Sequence, residues 1–525
     1  MTDISGSGDA SEVDDVRYKL HSFYCKTYPY TVEYEVEIKY NYTMFFPEWS
    51  PVEGLNFAVE QSKATFVCSR DYLLRYRPFN YTAEPTIVED GSKKNYTWEV
   101  KNLPAIEGEA NAPDWYEITP TILFGPSAFK VGDYEGNMSS WQDFGKFVYT
   151  LKKDRDDLPD NVKAKIHQLA DGLKDEHEKV RVLYQMMQNS TRYISIQLGI
   201  GGWQPFDAKY VAAKGYGDCK ALSNYMYSIL KEAGIKSFYT LAKAGEGSKF
   251  FVSDFPSSQF NHVILCVPMT KDTVWLECTS QKIQAGYLSA FTADRPVLLI
   301  DENGGKLVRT PKYGINENVE IRKIQASIDS VGSLTATINT MYGGMQQDDL
   351  FELIHSLSKE KLMEYLKREI ELPQYDVSKF DYTEKSEGIP SINENLEINA
   401  LNYAAITGKR IFISPNLITR ISGKFKPLEK RIYPIQFEYE YRDIDTAVLK
   451  IPSGYKPESV PADLKIESKF GKYTASVKVD GDKISYYRKM EKYSGTFPAS
   501  DYNDLVKFYD QIYKADRTKI VLVKN

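Results

Sequence analysis

The sequence YGDCKALSNYMYSILKEAG, residues 216–234, is the most informative part of the chain for its fold, because it places a cysteine at the start of a helix. Asp218 stands where a helix takes its N-cap, and Gly217 allows the chain to turn tightly into the first turn. Gly234 stands where glycine commonly ends a helix. Apolar residues recur between them at helical spacing: Leu222, Met226, Ile229, Leu230 and Ala233. The pattern predicts an amphipathic helix that begins at Cys219.

Cys219 is a candidate nucleophile. A cysteine attacks as its thiolate, and both a helix N-terminus and a nearby imidazolium stabilise that anion. An isolated cysteine at the start of a helix is more often a small buried residue, so the assignment needs a base. The other cysteines lack a helix start and are predicted to be structural: Cys25, Cys68, Cys266 and Cys278.

The base is predicted in the hairpin NHVILCVPMTKDTVWLECT, residues 261–279. A four-residue loop that pairs Val267 with Asp272 places His262 directly opposite Glu277 on one face. The opposite face then carries an apolar set fit for a core: Val263, Leu265, Val267, Val274, Leu276 and Cys278. Cross-strand neighbours lie about 4.5–5.5 Å apart at Cβ, so the carboxylate can orient the imidazole.

These positions predict a triad of Cys219 as nucleophile, His262 as base and Glu277 as orienting acid. Taken singly, His262 is explained as an ordinary hydrogen-bonded polar residue, and Glu277 as a surface carboxylate. Asn261 either helps to hold His262 or marks the start of its strand.

An acyl-transfer site also needs hydrogen-bond donors for the developing oxyanion. The backbone N–H of Cys219 is one candidate. Gln204, in GGWQPFD, is the predicted side-chain donor, and Gln197 and Trp203 are alternatives that the spacing does not separate from it. The GIGG sequence at 199–202 matches neither nucleotide-binding glycine pattern, so it predicts a turn.

Composition excludes several classes of function. With 525 residues the chain needs more than one core, and its net charge of −6, with no basic stripe, argues against nucleic acid as a partner. No apolar run approaches the roughly 18–20 residues of a membrane span. Cysteines and histidines are scattered, so we predict no metal and no other cofactor.

A central core is predicted for residues 151–310. The sequence on either side of it alternates apolar and polar residues, as strands do. Residues 16–150 predict an antiparallel β-sandwich, with strand patterns in RYKLHSFY, YTVEYEVEIKYNYTMFF, TFVCSRDYLLRYRPFN and YTWEVKN. Residues 311–525 predict a β-rich domain with two helical insertions, DDLFELIHSLSKEKLMEYLKREI and YNDLVKFYDQIY. Residues 1–15 are polar and acidic, without a secretory signal, and predict a flexible leader or the interior of a longer protein.

Three segments resemble the Cys, His and acid segments of the transglutaminase-like superfamily: YGDCKALSNYM, FNHVILCVP and DTVWLECTSQ. With TRYISIQLGIGGWQPFDA and TYPYTVEYEVEIKYN, the chain is similar to bacterial proteins that carry this core between DUF3857 and DUF3858 domains. The resemblance covers most of the chain from about residue 16, and the first domain looks shortened at its start. It implies a multi-domain protein in which a central α+β papain-like core is flanked by N-terminal and C-terminal β-sandwich domains.

The resemblance also implies that Cys219, His262 and Glu277 are catalytic. Many members have Asp followed by Pro-Thr where this chain has Glu-Cys-Thr, so we expect weaker orientation of the histidine rather than loss of chemistry. Such proteins are commonly exported to the periplasm or cell envelope. Without a signal in this sequence, a cytoplasmic location stays open.

The leading functional hypothesis is a cysteine peptidase or amidase that cleaves protein or peptide substrates through a thioester. Two alternatives stay open: an amine acyltransferase that cross-links proteins, and an inert envelope scaffold that binds peptide or glycan. Hydrolysis is favoured, because amine transfer requires a site that admits lysine and excludes water. No calcium-binding pattern is present. The sequence does not indicate an oligomeric state.

Overall fold

The structure is a computed structural model that describes residues 2–5, 17–196, 199–245 and 249–525. The chain divides into two compact units. The first comprises Met1–Ile106 and Asp114–Pro311, and the second comprises Glu107–Pro113 and Lys312–Asn525. The chain is a multi-domain, mixed α and β protein with many sheets. The finer division into three domains and a leader stays a prediction.

The helix predicted from Cys219 is present and spans Cys219–Glu232. Three further helices accompany it: Asp160–Ala170, Glu176–Ser190 and Ala208–Lys214. Gly234, two residues beyond the helix of Cys219, has φ +74°, the left-handed conformation that glycine adopts without strain. The predicted apolar positions Leu222, Met226, Ile229 and Leu230 are buried, together with Val180, Leu183, Tyr184 and Met187 of the helix Glu176–Ser190.

An antiparallel sheet of five strands supports these helices. In spatial order its strands are Thr273–Leu276, His262–Pro268, Phe238–Ala242, Pro296–Asp301 and Gly304–Arg309. The apolar face predicted for the hairpin is buried, and Leu265, Val267, Val274, Leu276 and Cys278 pack with the helix of Cys219.

The helix Trp141–Lys152 corrects the prediction that residues 16–150 form strands throughout. It begins at Ser140, whose hydroxyl accepts a hydrogen bond from the backbone N–H of Asp143 at 3.0 Å. The helix packs against the last strands of the five-stranded sheet. A Cβ on Gly145 would lie only 1.9 Å from the backbone nitrogen of Gly305, so both elements depend on glycine there.

The rest of the first unit is mainly β-structure. Its strands are Thr2–Ser5, Arg17–Leu20, Val59–Ser69, Arg75–Phe79, Thr86–Asp90, Lys93–Leu103, Thr121–Gly125, Ala128–Val131, Tyr134–Asn137, Arg192–Tyr193 and Tyr216–Gly217, with the short helix Trp115–Ile118. Of the leader predicted for residues 1–15, only residues 2–5 belong to the described part of the chain, and they pair with Arg17–Leu20.

The strand predicted in YTVEYEVEIKYNYTMFF is wrong for residues 31–40, which form no strand. Tyr34 is 74% exposed and Val36 66% exposed, although the alternation would bury one face. A strand is stabilised by hydrogen bonds to a neighbour, and no described segment pairs with residues 31–40. Alternation alone therefore does not produce the strand.

The second unit is built on an eight-stranded sheet. In spatial order its strands are Tyr375–Lys385, Ser391–Ala400, Leu334–Gly343, Val319–Ile328, Tyr441–Lys450, Lys483–Lys492, Gly471–Asp480 and Leu464–Ser468. A four-stranded sheet shares its core and consists of Ala405–Thr407, Arg410–Ile413, Ile520–Lys524 and Tyr455–Ser459. Both hairpins predicted from the sequence, at 327–342 and 474–489, are confirmed.

The helices of the second unit lie where the sequence predicts them. They are Asp348–Ser356, Lys359–Glu369 and Tyr502–Ala515. The short strands Ile435–Phe437 and Gly495–Phe497 pair with each other. Among the residues that the structure describes, no helix is long and apolar enough to cross a membrane.

Candidate active site

Cys219 is the first residue of its helix, as the sequence predicts. One oxygen of the N-cap residue Asp218 accepts a hydrogen bond from the backbone N–H of Ala221 at 2.9 Å, and the other pairs with Lys220. The charge of Asp218 is therefore balanced locally. The helix directs its positive end and its free N–H groups toward this position, an environment that stabilises a thiolate.

The imidazole of His262 is held by Glu277. Its Nε2 lies 2.9 Å from Oε1 and 3.0 Å from Oε2 of the carboxylate, and both side chains are buried. Because Nε2 is engaged with the carboxylate, Nδ1 is the ring nitrogen left for the thiol of Cys219. The rings of His262 and Phe291 form a T-shaped pair, with centroids 5.3 Å apart.

The electrostatic interaction between His262 and Glu277 favours the charged form of the histidine. Burial opposes protonation of His262, but the Glu277 carboxylate and hydrogen bonds with Cys219 and Glu277 outweigh burial and raise its pKa to about 10. Burial likewise opposes ionisation of Glu277, yet the imidazolium and the contacts with Thr279 hold its pKa below the ordinary value. The site therefore carries an imidazolium–carboxylate pair at neutral pH.

The register predicted for the hairpin is wrong by two residues. Val267 pairs with Val274 rather than Asp272, and the strands extend to the pair Pro268 and Thr273. Continued in this register, Glu277 falls opposite residue 264, diagonal to His262. A shift of two residues keeps every side chain on its face, so the carboxylate still lies on the side of His262. A diagonal neighbour lies about 7–8 Å away at Cα, a distance that a long side chain spans.

Two residues that the sequence analysis did not single out support Glu277. The hydroxyl of Thr279 donates to Glu277 Oε1 at 2.6 Å, and the hydroxyl of Tyr184 donates to the Glu277 backbone carbonyl at 2.5 Å. The spacing of Thr279, two residues after the acid, is one at which a hydroxyl bonds locally. For Tyr184, nothing in the sequence distinguishes this contact from ordinary core packing.

Cys219 and His262 line a cavity of about 320 Å³. Phe45, Trp203 and Phe260 are among its walls, and the ring centroids of Phe45 and Trp203 are 5.6 Å apart. Cys219 is only 5% exposed, and this cavity is the space that its side chain borders.

The predicted oxyanion donors differ in position. Trp203 lines the cavity, whereas the amide nitrogen of Gln204 donates to the Tyr134 hydroxyl at 2.8 Å and to the Leu151 carbonyl at 3.3 Å. The structure therefore does not bring the Gln204 amide to the thiol. Gln197 lies outside the described residues.

Asn261 lines the cavity but does not hydrogen-bond to His262. Its side chain exchanges hydrogen bonds with the backbone of Ala244, at 2.7 Å to the N–H and 3.0 Å to the carbonyl. These contacts fix the start of the strand, which is the alternative role that the sequence left open.

The neighbouring cysteines differ from Cys219 in their surroundings. Burial raises the pKa of Cys266 to about 12. Burial, and then the charge of Glu277, hold the pKa of Cys278 well above the ordinary value. Both thiols are therefore poor nucleophiles. In the described part of the chain, no cluster of three or more His, Cys, Asp or Glu side chains is arranged to hold a metal ion.

Comparison with protein families finds two matches. The model of DUF3857, a domain of unknown function with a solved structure, matches residues 1–107. The model of DUF3858, described in the same way, matches residues 409–522. These matches confirm the predicted DUF3857 domain at the N-terminus and DUF3858 domain at the C-terminus. The candidate active site lies between the two matched regions.

Solved structures with a similar fold include a "putative protease" from Parabacteroides distasonis ATCC 8503, at 14% identity and a TM-score of 0.53. The alignment covers 91% of this chain and 75% of that chain, so the similarity in fold extends well beyond one domain. A "putative cysteine protease" from Cytophaga hutchinsonii aligns over 46% of this chain and 74% of its own, at 11% identity and a TM-score of 0.20, too low to support an inference. No protein with a curated description matches the chain by sequence.

Proposed function

We propose that the chain is a thiol enzyme that cleaves amide bonds, a cysteine peptidase or amidase with a Cys219–His262–Glu277 triad. One observation carries the proposal. The imidazole that Glu277 holds at 2.9 and 3.0 Å opens into the same cavity as a cysteine at the first position of a helix. A buried cysteine with a purely structural role would not require a charged pair beside it.

The proposed reaction has two halves. The Cys219 thiolate attacks the carbonyl carbon, the C–N bond breaks, and Nδ1 of His262 gives its proton to the departing amine. A thioester remains on Cys219. Water then attacks the thioester while His262 removes its proton, the C–S bond breaks, and the carboxylic acid leaves. Glu277 keeps the ring oriented and stabilises the imidazolium in both halves.

The oxyanion requires donors at the cavity. The backbone N–H of Cys219 is one, and we assign the second role to the indole N–H of Trp203 in place of the Gln204 amide. Trp203 lines the cavity, and its indole N–H has no hydrogen-bond partner among the described residues, whereas its backbone N–H donates to the Ile200 carbonyl at 2.8 Å. Loss of an oxyanion donor typically reduces turnover by about 10²–10³-fold, so Trp203→Phe should show a loss of that size with little change in folding.

Selective alkylation tests the triad. We expect iodoacetamide at mildly acidic pH to modify Cys219 rapidly, and His262→Ala to abolish this preference, because a thiolate at that pH requires the imidazolium. His167→Ala, which removes an exposed histidine of the same unit, is the matched control and should label like the wild type. Peptide mass mapping locates the label. Slow and uniform labelling of all cysteines would refute the proposal.

A peptide-library digest that compares the wild type with Cys219→Ala identifies the reaction. Cleavage that depends on Cys219 establishes hydrolysis. Products that gain the mass of an added amine instead establish acyl transfer. The absence of both, with a folded protein, would leave an inert scaffold and contradict the proposal.

The proposal extends to the setting of the site. We propose a papain-like core between two β-sandwich domains, in a bacterial protein that is exported and acts on protein or peptide at the cell envelope. The DUF3857 and DUF3858 matches on either side of the site, and the fold shared with the Parabacteroides protein, support this setting. Fractionation of the native host, followed by immunodetection, tests the location.

A further inference from the structure

The second unit contains a cavity of about 870 Å³ that is separate from the candidate active site. Its floor is one face of the eight-stranded sheet, and its walls come from the helix Tyr502–Ala515 and from residues 418–428. A volume of this size is typical of sites for small organic ligands, which fall between about 300 and 1,000 Å³.

Two guanidinium groups, those of Arg322 and Arg488, lie on the floor of this cavity. Arg322 binds Glu320 at 2.6 Å and Asp445 at 3.1 Å. Arg488 binds Asp445 at 3.0 Å and Asp516 at 3.0 Å. Both guanidinium groups therefore form ion pairs with carboxylates other than that of Asp443.

Asp443 lies directly opposite Glu320 on the neighbouring strand, so two like charges face each other. Its Oδ1 accepts a hydrogen bond from Gln346 Nε2 at 3.0 Å. Among the described residues, Oδ2 has no hydrogen-bond partner and Asp443 forms no ion pair. Burial, and then the charge of Glu320, raise the pKa of Asp443 to about 7.

The cations at the mouth do not neutralise this carboxyl group. Lys424 pairs with Asp510 at 2.9 Å. The guanidinium of Arg420 donates to the backbone carbonyl groups of Glu371 and Leu417, both at 3.3 Å. Lys426 is exposed on the segment that borders the opening.

Aromatic rings line the walls above Asp443. Tyr441 is two residues before Asp443 on the same strand and therefore on the same face. Tyr509 comes from the helix, and its ring centroid lies 4.9 Å from that of Phe425. A carboxylate beside tyrosine rings is an arrangement that recognises an organic cation.

We propose that this cavity binds an aliphatic primary amine, with its ammonium group beside Asp443 and its carbon chain along Tyr441 and Tyr509. An ammonium group fits better than a guanidinium, because Gln346 already occupies Oδ1 and leaves a single free oxygen. A guanidinium prefers two parallel acceptors, whereas an ammonium acts as a point charge. Binding here does not depend on the chemistry proposed for Cys219.

Calorimetric titration of the full-length protein with 1,5-diaminopentane tests the proposal. We expect saturable binding that weakens at least about tenfold in Asp443→Asn, which keeps the shape but removes the charge. Asp376→Asn removes an exposed carboxylate of the same unit that pairs with Lys367, and it should bind like the wild type. Tyr509→Leu should also weaken binding, which provides a second test if Asp443→Asn is poorly folded.

Two control ligands define the chemistry that is recognised. We expect neither 1-pentanol, which lacks the charge, nor glutarate, which reverses it, to bind comparably. The proposal is overturned by the absence of saturable diamine binding, by equal affinity in Asp443→Asn, or by a preference for glutarate. Cys219→Ala should bind the diamine normally, so failure here leaves the proposed peptidase untouched.

Discussion

Glu277 reaches His262 diagonally across two strands, and its length is what makes the contact. An aspartate carries its carboxylate one methylene closer to the backbone, about 1.5 Å short. The resemblance to proteins with Asp at this position predicts weaker orientation of the histidine. The two-residue difference in register instead gives the longer side chain a role, because it spans the diagonal to Nε2 at 2.9 Å.

We therefore expect Glu277→Asp to weaken the site about as much as Glu277→Gln, which keeps the length but loses the charge. Both variants should slow the alkylation of Cys219 at mildly acidic pH by about tenfold or more, because a contact between charges that is weakened by about 1.4 kcal/mol is a factor of ten in the population of the ion pair. Thr279→Ser retains the hydroxyl that supports the acid and serves as the control. A Glu277→Asp variant that reacts at the wild-type rate would show that the diagonal contact does not matter.

The charge on His262 predicts a dependence of stability on pH. Its pKa in the folded protein, about 10, exceeds the roughly 6.5 of an unfolded histidine, so the folded state binds this proton more tightly. The stabilisation is complete below about pH 6.5 and is lost as the pH rises toward 10, by at most about 1.4 kcal/mol per pH unit. The depressed pKa of Glu277 has the opposite sign, and its contribution is lost in acid.

Urea unfolding of the wild type and of His262→Ala at about pH 6, 8 and 9.5 measures this difference. We expect the advantage of the wild type to shrink as the pH rises. An advantage that is constant across this range would contradict the charged pair.

At the scale of elements, the helix Trp141–Lys152 and the strand Gly304–Arg309 meet at glycine. A methyl group on Gly145 would fall within 2.5 Å of backbone atoms of Gly304 and Gly305, and backbone cannot move aside as a flexible side chain can. We expect Gly145→Ala to destabilise the first unit by about 1–3 kcal/mol or more, the usual cost of overpacking. Gly172→Ala is the matched control, because nothing lies within 4 Å of a Cβ there.

Thermal unfolding compares the two glycine variants. A fall in the midpoint for Gly145→Ala, with Gly172→Ala unchanged or slightly higher, is the expected result. Equal midpoints would mean that the helix can shift away from the strand at little cost.

Elements with strong periodicity and clear ends were predictable from the sequence, as the helix from Cys219 to Glu232 shows. Contacts that depend on register were less accessible, because a shift of two residues leaves the faces of the hairpin unchanged. The segment 31–40 has the alternation of a strand, yet pairing with a neighbour decides the outcome. The place of Trp203 and Gln204 depends on loop geometry, which residue spacing does not specify.

At the scale of the whole molecule, residues Glu107–Pro113 belong to the second unit although the chain on both sides belongs to the first. Glu109 accepts hydrogen bonds from the backbone N–H groups of Ile432 at 2.8 Å and Tyr433 at 3.0 Å. Its carboxylate also lies 3.6 Å from Arg431, whose side chain is 1% exposed. The segment therefore supplies the anion that a buried arginine requires.

We expect Glu109→Ala to destabilise the second unit by about 3–5 kcal/mol, because it leaves a buried guanidinium without its counter-charge. Glu107→Ala, an exposed carboxylate two residues earlier, should have almost no effect. Urea unfolding, followed by limited proteolysis to identify the unit that opens first, measures the difference. Equal stability of the two variants would refute this role of Glu109.

The seven residues Glu107–Pro113 restrict how the gene for such a protein can recombine. The second unit includes a segment whose sequence lies within that of the first unit. One recombination point therefore cannot transfer the whole second unit to another protein. A recombination event after Pro311 would separate Arg431 from Glu109 and deliver an incomplete domain. The two units are therefore expected to be inherited together, and anyone who wishes to express the second alone must graft the missing piece onto it.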